Sequence, residues 1–436
     1  SESVAAVGVA GFFTWLGNAL SFISKVGAEV TISQSLGARA GKRARAYANQ
    51  SAMLSSIIAL GYACFIFVAA PMLVGLFHLT DPILYLLQVE EAALPEARLY
   101  LQIVSLGLVG SIGYNTNAGI LQGLGNSKTP LKIVATGLVF NIILDPLLIY
   151  GYSFVPAMGS AGAAIATTFS QLVVFTIFIW NLYFRNSSIG KLYFITRLRT
   201  RFVKHICSLG LPVSMQSALF AMFSLTLATV AAQWGHIGVA VQSVGAQIEA
   251  ITWMTAAGFS TALAAFTGQN FGARNLSRIR LGYHYTLKLA GGIALIACLA
   301  FLFLSKEIFS VFINEPQTLT AGSAYLKILA ISQIFSAIEQ VTAGAFNGCG
   351  RTTPPAIVGI ILTGARIPLA YYLVTFPSLG LNGIWWSISL SSVLKGIVLA
   401  IWYQSFQKRL QSGLYKPVGI IGKMHAVASR LWQQFN

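Results

Sequence analysis

One pattern occurs twice in this chain, and it restricts the possible folds more than any other feature. Gln34 with Leu36-Gly-Ala-Arg39 recurs as Gln269 with Phe271-Gly-Ala-Arg274, at an offset of 235 (269 minus 34). Gly119-Ile-Leu-Gln-Gly123-Leu-Gly125 recurs as Gly344-Ala-Phe-Asn-Gly348-Cys-Gly350 at an offset of 225, and Gly159-Ser-Ala-Gly162 matches Gly380-Leu-Asn-Gly383 at 221. Matches in the same order with a slowly drifting offset indicate two copies of one architecture whose loops differ in length. In a membrane chain such a repeat places two lobes around a central binding site, the build of many carriers.

The membrane setting follows from composition. Apolar residues make up 56% and charged residues 9% of the 436, against roughly 25% charged in soluble domains. The net charge of +17 does not point to nucleic acid, because the cations lie in short clusters between long apolar runs and act as topology signals. Cys64, Cys207, Cys298 and Cys349 have no paired spacing, so neither a disulfide framework nor a metal site is expected.

A helix needs about 20 apolar residues to cross the hydrocarbon layer. Runs of that kind cover roughly 4–35, 47–77, 97–122, 131–151 and 159–184, then 205–233, 239–270, 282–312, 321–348, 355–376 and 380–405. The five-plus-six imbalance is explained by the repeat. The run at 205–233 precedes Gln269, and its counterpart would fall before Ser1. The expectation is an all-α integral membrane protein of two pseudo-symmetric six-helix lobes, with the first helix absent from this chain and about 11 spans present. Residues 1–184 would form the N-lobe, 185–204 a basic inter-lobe linker on an anionic leaflet, 205–407 the C-lobe and 408–436 a basic tail. That tail could be an interfacial helix or a disordered segment. Twenty-one of the 28 Lys and Arg fall in alternate loops and the tail, which the positive-inside rule assigns to the cytoplasm together with the C-terminus. The longest intervening loop holds Asp81, Glu90, Glu91 and Glu96 instead.

Ionisable groups inside spans are costly and mark candidate sites. Asp145, in Asn141-Ile-Ile-Leu-Asp145-Pro146, shares a helix face with Asn141 four residues earlier. Pro146 removes a backbone hydrogen bond beside it and permits a kink. Carboxylate and amide oxygens suit a hard cation such as Na+, and carboxylates removed from water also retain protons, so either ion fits. The alternative is a buried Asp satisfied by a neighbouring helix. Thr167 and Thr168 offer hydroxyls on the next span, although such groups often bond back to their own helix. Glu249 and Arg366 lie mid-span and could pair. Glu339 and Lys395 are further polar positions able to line a cavity, and Lys25 with Glu29 has the spacing of an intrahelical pair. The glycine-rich turns lack a following Lys-Ser/Thr and read as close helix packing and tight turns, not phosphate loops.

Ala5-Ala-Val-Gly8, Gln34-x-Leu-Gly-Ala38, Gln122-Gly-Leu-Gly125 through Thr129-Pro130, Asn141 to Pro146, Gly159-x-x-Gly-Ala-Ala164 and Gly210-Leu-Pro212 stand in the order seen in the multidrug and toxic compound extrusion (MATE) family. The chain resembles that family over about residues 3–407, and its Asn141 and Asp145 resemble the DinF-like branch. The resemblance implies two six-helix lobes around a cleft that opens alternately to either side, driven by H+ or Na+. It implies an N-lobe cation site joining Asn141, Asp145 and Thr167 to an Asp of the first helix. A second-lobe arrangement with an acid in the seventh helix does not match, because residues 210–233 contain no acid. Glu249 resembles a family acid placed to contact substrate or balance charge.

The expected function is antiport of organic cations or lipophilic drugs against H+ or Na+, with Glu249, Arg366, Glu339 and Lys395 as a substrate-cavity or charge network. No cofactor is implied beyond the coupling ion. The expected partners are small molecules and membrane lipids, with no nucleic acid, in a monomer in the bacterial inner membrane. The competing function is a lipid-linked oligosaccharide flippase of a related two-lobe family, which would call for a strongly cationic cavity. Neither a doubled filter motif nor a Ser-Lys or Ser-His pairing suggests a channel or an enzyme.

Overall fold

The computed structural model describes residues 2–79, 94–152, 156–184 and 189–412, with side chains from residue 11 and, in the second helix, as far as Val74. The fold is all-α. Its helices are α1 (Glu2–Gly37), α2 (Gly41–Leu79), α3 (Leu94–Gly123), α4 (Lys128–Tyr150) and α5 (Gly159–Ile179), the last ending in a π-helical turn (Trp180–Phe184). There follow α6 (Thr200–Ala232), α7 (Gly235–Gly272), α8 (Leu276–Phe303), the short α9 (Ser305–Ser310), α10 (Pro316–Gly348), α11 (Thr353–Gly364), α12 (Arg366–Val374) and α13 (Asn382–Gln411). With α11 and α12 counted as one broken rod and α9 as an appendage of α8, these coincide with the eleven runs read from the sequence.

Among the described residues nine helical segments are long and apolar enough to cross a membrane, so this is a multi-pass membrane protein. α1 and α3 fall outside that set. α3 is central, packed by α1, α2 and α5, and buries Ser105, Gly107, Gly110, Ser111, Gly113 and Thr116 along one stretch. A helix with helices on every side needs small residues for close approach, not a lipid-facing apolar surface. α10 holds the same position in the second lobe, packed by α7, α8 and α13.

The repeat is visible atom by atom. A Cβ at Gly119 would lie 2.7 Å from the Lys25 carbonyl oxygen, and one at Gly344 would meet the carbonyl of Ser260, the second-copy counterpart of Lys25. Gly123 sits on the Glu29 carbonyl and Gly348 on that of Ala264, which is the counterpart of Glu29. The turns after these helices also agree, with φ of +84° at Gly125 and +74° at Gly350. After α1 and α7 the left-handed position is held by Arg39 (φ 56°) and Arg274 (φ 59°). Ala40 N–H donates to the Ser35 carbonyl and Asn275 N–H to that of Asn270, the long bond of a Schellman cap.

Two expectations need correction. The run at 282–312 is not one helix, since α8 stops at Phe303 and α9 follows. The run at 355–376 is broken at Ala365, and Pro368 lies in the first turn of α12, where its missing N–H costs no helix bond. α4, by contrast, continues as one helix through Pro146. The tail at 413–436, the loop residues Asp81, Glu90 and Glu91, and Arg185 lie outside the described residues.

Candidate functional site

The chemistry of the first lobe centres on α4. Asn141 Nδ2 donates to Asp145 Oδ1 at 3.1 Å, the contact that a four-residue spacing on one helix face allows. Both side chains are half-buried. α4 buries only Pro130, Ile133 and Gly137, leaving Leu138, Val139, Ile142 and Ile143 more than half exposed. The carboxylate therefore stands beside an open apolar face, within electrostatic reach of Tyr100 on α3. The amide occupies one carboxylate oxygen, and Oδ2 is left to bind something else.

The two candidate threonines separate clearly. Thr168 Oγ1 donates to the Ile103 carbonyl on α3 at 3.1 Å, which ties α5 to α3. Thr167 is half-buried and is not joined to Asn141 or Asp145 by any hydrogen bond. Asn141, Asp145 and Thr167 carry four side-chain oxygens between them, short of the six or so that a hard cation collects. A proton needs only the free carboxylate oxygen, and sodium would require additional donors.

In the second lobe the four predicted polar residues come together, but not in the predicted pairs. Glu249 and Arg366 make no ion pair. The bridge runs from Lys395 Nζ on α13 to Glu339 Oε2 on α10 at 2.9 Å. Arg366, the first residue of α12, donates to Ser391 Oγ at 2.5 Å and Ser392 Oγ at 2.8 Å. Both carboxylates, of Glu249 and Glu339, act on its charge. A cation at a helix N-terminus opposes the helix dipole, so these two acids and the serines are what make the position tolerable. Tyr325 Oη donates to Glu249 Oε2 at 3.4 Å, and Thr252 Oγ1 bonds Gln333 Oε1 at 2.5 Å. Two acids and two bases cancel, so the cluster is formally neutral.

The Lys25–Glu29 pair is also corrected. No bridge joins them; Glu29 is buried with Oε1 lacking a partner, while the Lys25 ammonium lies 5.5 Å from the Phe22 ring centroid. A Glu–Lys spacing of four permits a bridge without requiring one.

Sequence reasoning noted the repeated glutamines but missed their use. α1 and α7 cross where Ser33 meets Gly268. These two are matched positions of the repeat, each directly preceding its glutamine, so the crossing lies on the pseudo-twofold axis. Gln34 Nε2 donates to the Gly348 carbonyl in the other lobe at 2.9 Å. A Cβ at Gly37 would collide with the Gln269 carbonyl, and one at Gly272 with the Gln34 carbonyl. The Gln269 amide lies beside Gly125, as Gln34 lies beside Gly350. The lobes are thus closed on each other at the face that carries the basic turns. A glutamine at matched positions of both repeats, beside glycines, was the available signal.

Comparison with known proteins accords with this architecture. The MatE family model matches residues 1–147 and 212–372. A probable multidrug resistance protein NorM of Thermotoga maritima is 28% identical over 400 residues, covering 88% of this chain and 81% of that protein. A FAD transporter of Shewanella oneidensis is 25% identical over 326 residues, 73% of this chain and 70% of that one. Among solved structures, an outward-facing multidrug resistance MATE family transporter of the MOP superfamily superposes with a TM-score of 0.84 at 25% identity, covering 94% of this chain and 89% of that one. A MOP superfamily transporter from Pyrococcus furiosus, described as having a binding pocket of reversed polarity, gives a TM-score of 0.85 at 24% identity over the same shares.

Proposed function

Because this chain belongs to the MatE family, whose members are transporters and not enzymes, we propose that it exports small organic cations or lipophilic drugs in exchange for H+ or Na+. The observation that carries this reading is the Asn141–Asp145 pair: a carboxylate with one free oxygen on a helix that has little packing to lock it. Binding a cation there removes a negative charge from the first lobe. The binding of cation and drug must then be mutually antagonistic, each weakening the other by the same factor. One-for-one exchange of a monovalent cationic drug for H+ or Na+ moves no net charge, so the ion's concentration gradient alone would drive it. The membrane potential, about 2.3 kcal/mol per charge per 100 mV, contributes when more than one cation enters per monovalent cationic drug or when the drug is neutral.

Alternating access supplies the mechanism. The Gln34–Gly348 bond and the glycine crossing of α1 with α7 are the closed gate at the basic face, which we assign to the cytoplasm. They part when that side opens. The neutral second-lobe cluster supports a drug exporter over a flippase for lipid pyrophosphates, which needs a surplus of cations.

The test is dye efflux from energised cells producing the full-length protein, wild type against Asp145→Asn, with and without sodium. Loss of efflux in a correctly inserted variant supports coupling at Asp145, and sodium dependence of the wild type names the ion. Unchanged efflux in Asp145→Asn removes Asp145 from the coupling scheme.

A further inference from the structure

The segment that joins the lobes does not hang free. Gly190 begins it with φ of +89°, and its backbone is pinned to α2 by two consecutive side chains. Asn49 Oδ1 accepts from Tyr193 N–H at 3.1 Å. Gln50 uses both ends of its amide: Nε2 donates to the Arg197 carbonyl at 2.8 Å and Oε1 accepts from Arg199 N–H at 2.7 Å. The pinned strap alternates as a strand does. Leu192 and Phe194 turn inward onto the cluster of Tyr47, Phe178, Leu182 and Tyr183, while Tyr193 and Ile195 point out at 53% and 81% exposure; Leu198, past the alternating stretch, is also exposed.

Charge surrounds these outward apolar groups. Lys191, Arg197 and Arg199 are exposed along the strap and Arg201 and Lys204 at the start of α6, with Arg39 and Lys42 exposed at the turn into α2. None of the chain's 11 Asp and Glu falls between residues 30 and 80 or between 146 and 248, so no carboxylate on these segments offsets the cations. The segment 413–436 adds Lys416, Lys423 and Arg430 and no acid, so its sequence supplies no carboxylate to offset these cations. The strap starts just past Gly159–Phe184, an apolar span of 26 residues. At about 1.5 Å per residue a span of that length overshoots a hydrocarbon core of about 30 Å. The strap therefore sits at headgroup depth, where an aromatic ring and aliphatic side chains flanked by cations are best accommodated.

We propose that residues 189–199, held by Asn49 and Gln50 beside the basic turn of α2, form a binding surface for anionic phospholipids. Tyr193 and Ile195 enter the acyl boundary and the arginines take the headgroup phosphates. The surface is specific to the strap, because the only chain segment joining the lobes crosses it, and lipid held there bears on both.

The experiment places the full-length protein in nanodiscs of phosphatidylcholine with increasing phosphatidylglycerol and counts retained lipids by native mass spectrometry. Wild type is expected to retain phosphatidylglycerol over phosphatidylcholine. Arg197→Gln/Arg199→Gln/Arg201→Gln should lower that apparent affinity roughly tenfold or more, with the thermal midpoint in detergent as the folding control. Ile195→Trp supplies an independent arm: its added fluorescence should be quenched by brominated phospholipid. Should the triple variant misfold, Arg197→Gln alone and the tryptophan arm still decide. Equal retention of both lipids by the wild type, undiminished retention by the arginine variants, an unquenched tryptophan, or single-stranded RNA displacing the lipid would each overturn the proposal.

Discussion

Gly162 packs on the Leu148 carbonyl in the first lobe, and Gly383 packs on Leu373 in the second. That contact puts the two lobes in register, with Arg366 standing where the first lobe has Asn141, and Ala370 where it has Asp145. By the other offsets Glu339 answers to Tyr114, Lys395 to Val174 and Glu249 to Thr14. At these matched positions the same scaffold thus carries a half-buried carboxylate without an ion pair in one half and a buried cluster of two acids and two bases in the other. Charges in the second lobe satisfy one another and consolidate the helices, while in the first lobe Asp145 has only the Asn141 amide for a partner and Glu29 forms no ion pair. Shared backbone does not imply shared chemistry, even within one chain.

The most disruptive way to probe this difference is to break the second-lobe pair from one side. Lys395→Met leaves Glu339 buried without its partner, and removing one member of a buried pair costs about 3–5 kcal/mol. A large fall in thermal midpoint is expected, largely recovered when Glu339→Gln is added. Asp145→Asn should stay within about 0.5 kcal/mol of wild type in the same assay, because its site is half open and its amide partner remains. A single Lys395→Met variant no less stable than the double would mean that the bridge does not compensate the buried charges.

The seam between the lobes gives the next effect. Gln34→Ala removes one inter-lobe hydrogen bond worth about 1 kcal/mol, which shifts a closed-to-open ratio roughly fivefold. Gln269→Ala should shift it less, since Gln34 makes the Gly348 bond and Gln269 only lies beside Gly125. Spin-label distances across the basic face would rank the two variants, and identical shifts would show that the seam closes symmetrically.

The paired threonines allow a finer comparison. Thr168→Val loses the bond to Ile103 and should cost about 1 kcal/mol of stability without altering the ion dependence of efflux. Thr167→Val should do the reverse, leaving the melt unchanged and weakening the response to the coupling ion. A valine at 167 with wild-type ion dependence would remove that hydroxyl from the site.

The eleven rods were legible because an apolar run of sufficient length has few other options in lipid. Asn141 with Asp145 was legible because the contact is local to one helix. Glu339 with Lys395 was not, since the partners stand on separate helices, α10 and α13, with α11 and α12 between them in the chain, and their pairing depends on how those helices dock. The break before Arg366 was hidden because Pro368 falls just past it, inside a run whose apolar character continues. Gln34 was marked by repetition, but its partner is a backbone carbonyl in the other lobe, and a sequence carries no signature for an acceptor common to every residue.

The smallest effect lies at the face opposite the basic turns, where the lobes cap their central helices differently. In the first lobe Glu96, in the first turn of α3, accepts from Ser160 Oγ on α5, which ties two helices together. In the second, Glu315 precedes α10 and accepts from its own Thr318 at 2.5 Å, with His236 3.5 Å away. The Thr318 hydroxyl holds the Glu315 carboxyl below its ordinary value against an opposing desolvation, and His236 adds to the lowering. A carboxyl depressed in the folded state contributes stability above its unfolded pKa, and that contribution is lost as pH falls through the folded one. Thr318→Val should therefore flatten the acid side of the melting profile slightly, below about pH 4.3, the ordinary glutamate value. The exposed position of the group keeps the change small. The same substitution leaves Glu96 and Ser160 untouched, so an equally large change from Ser160→Ala would show that both caps respond alike and that the lobes differ only in their interiors.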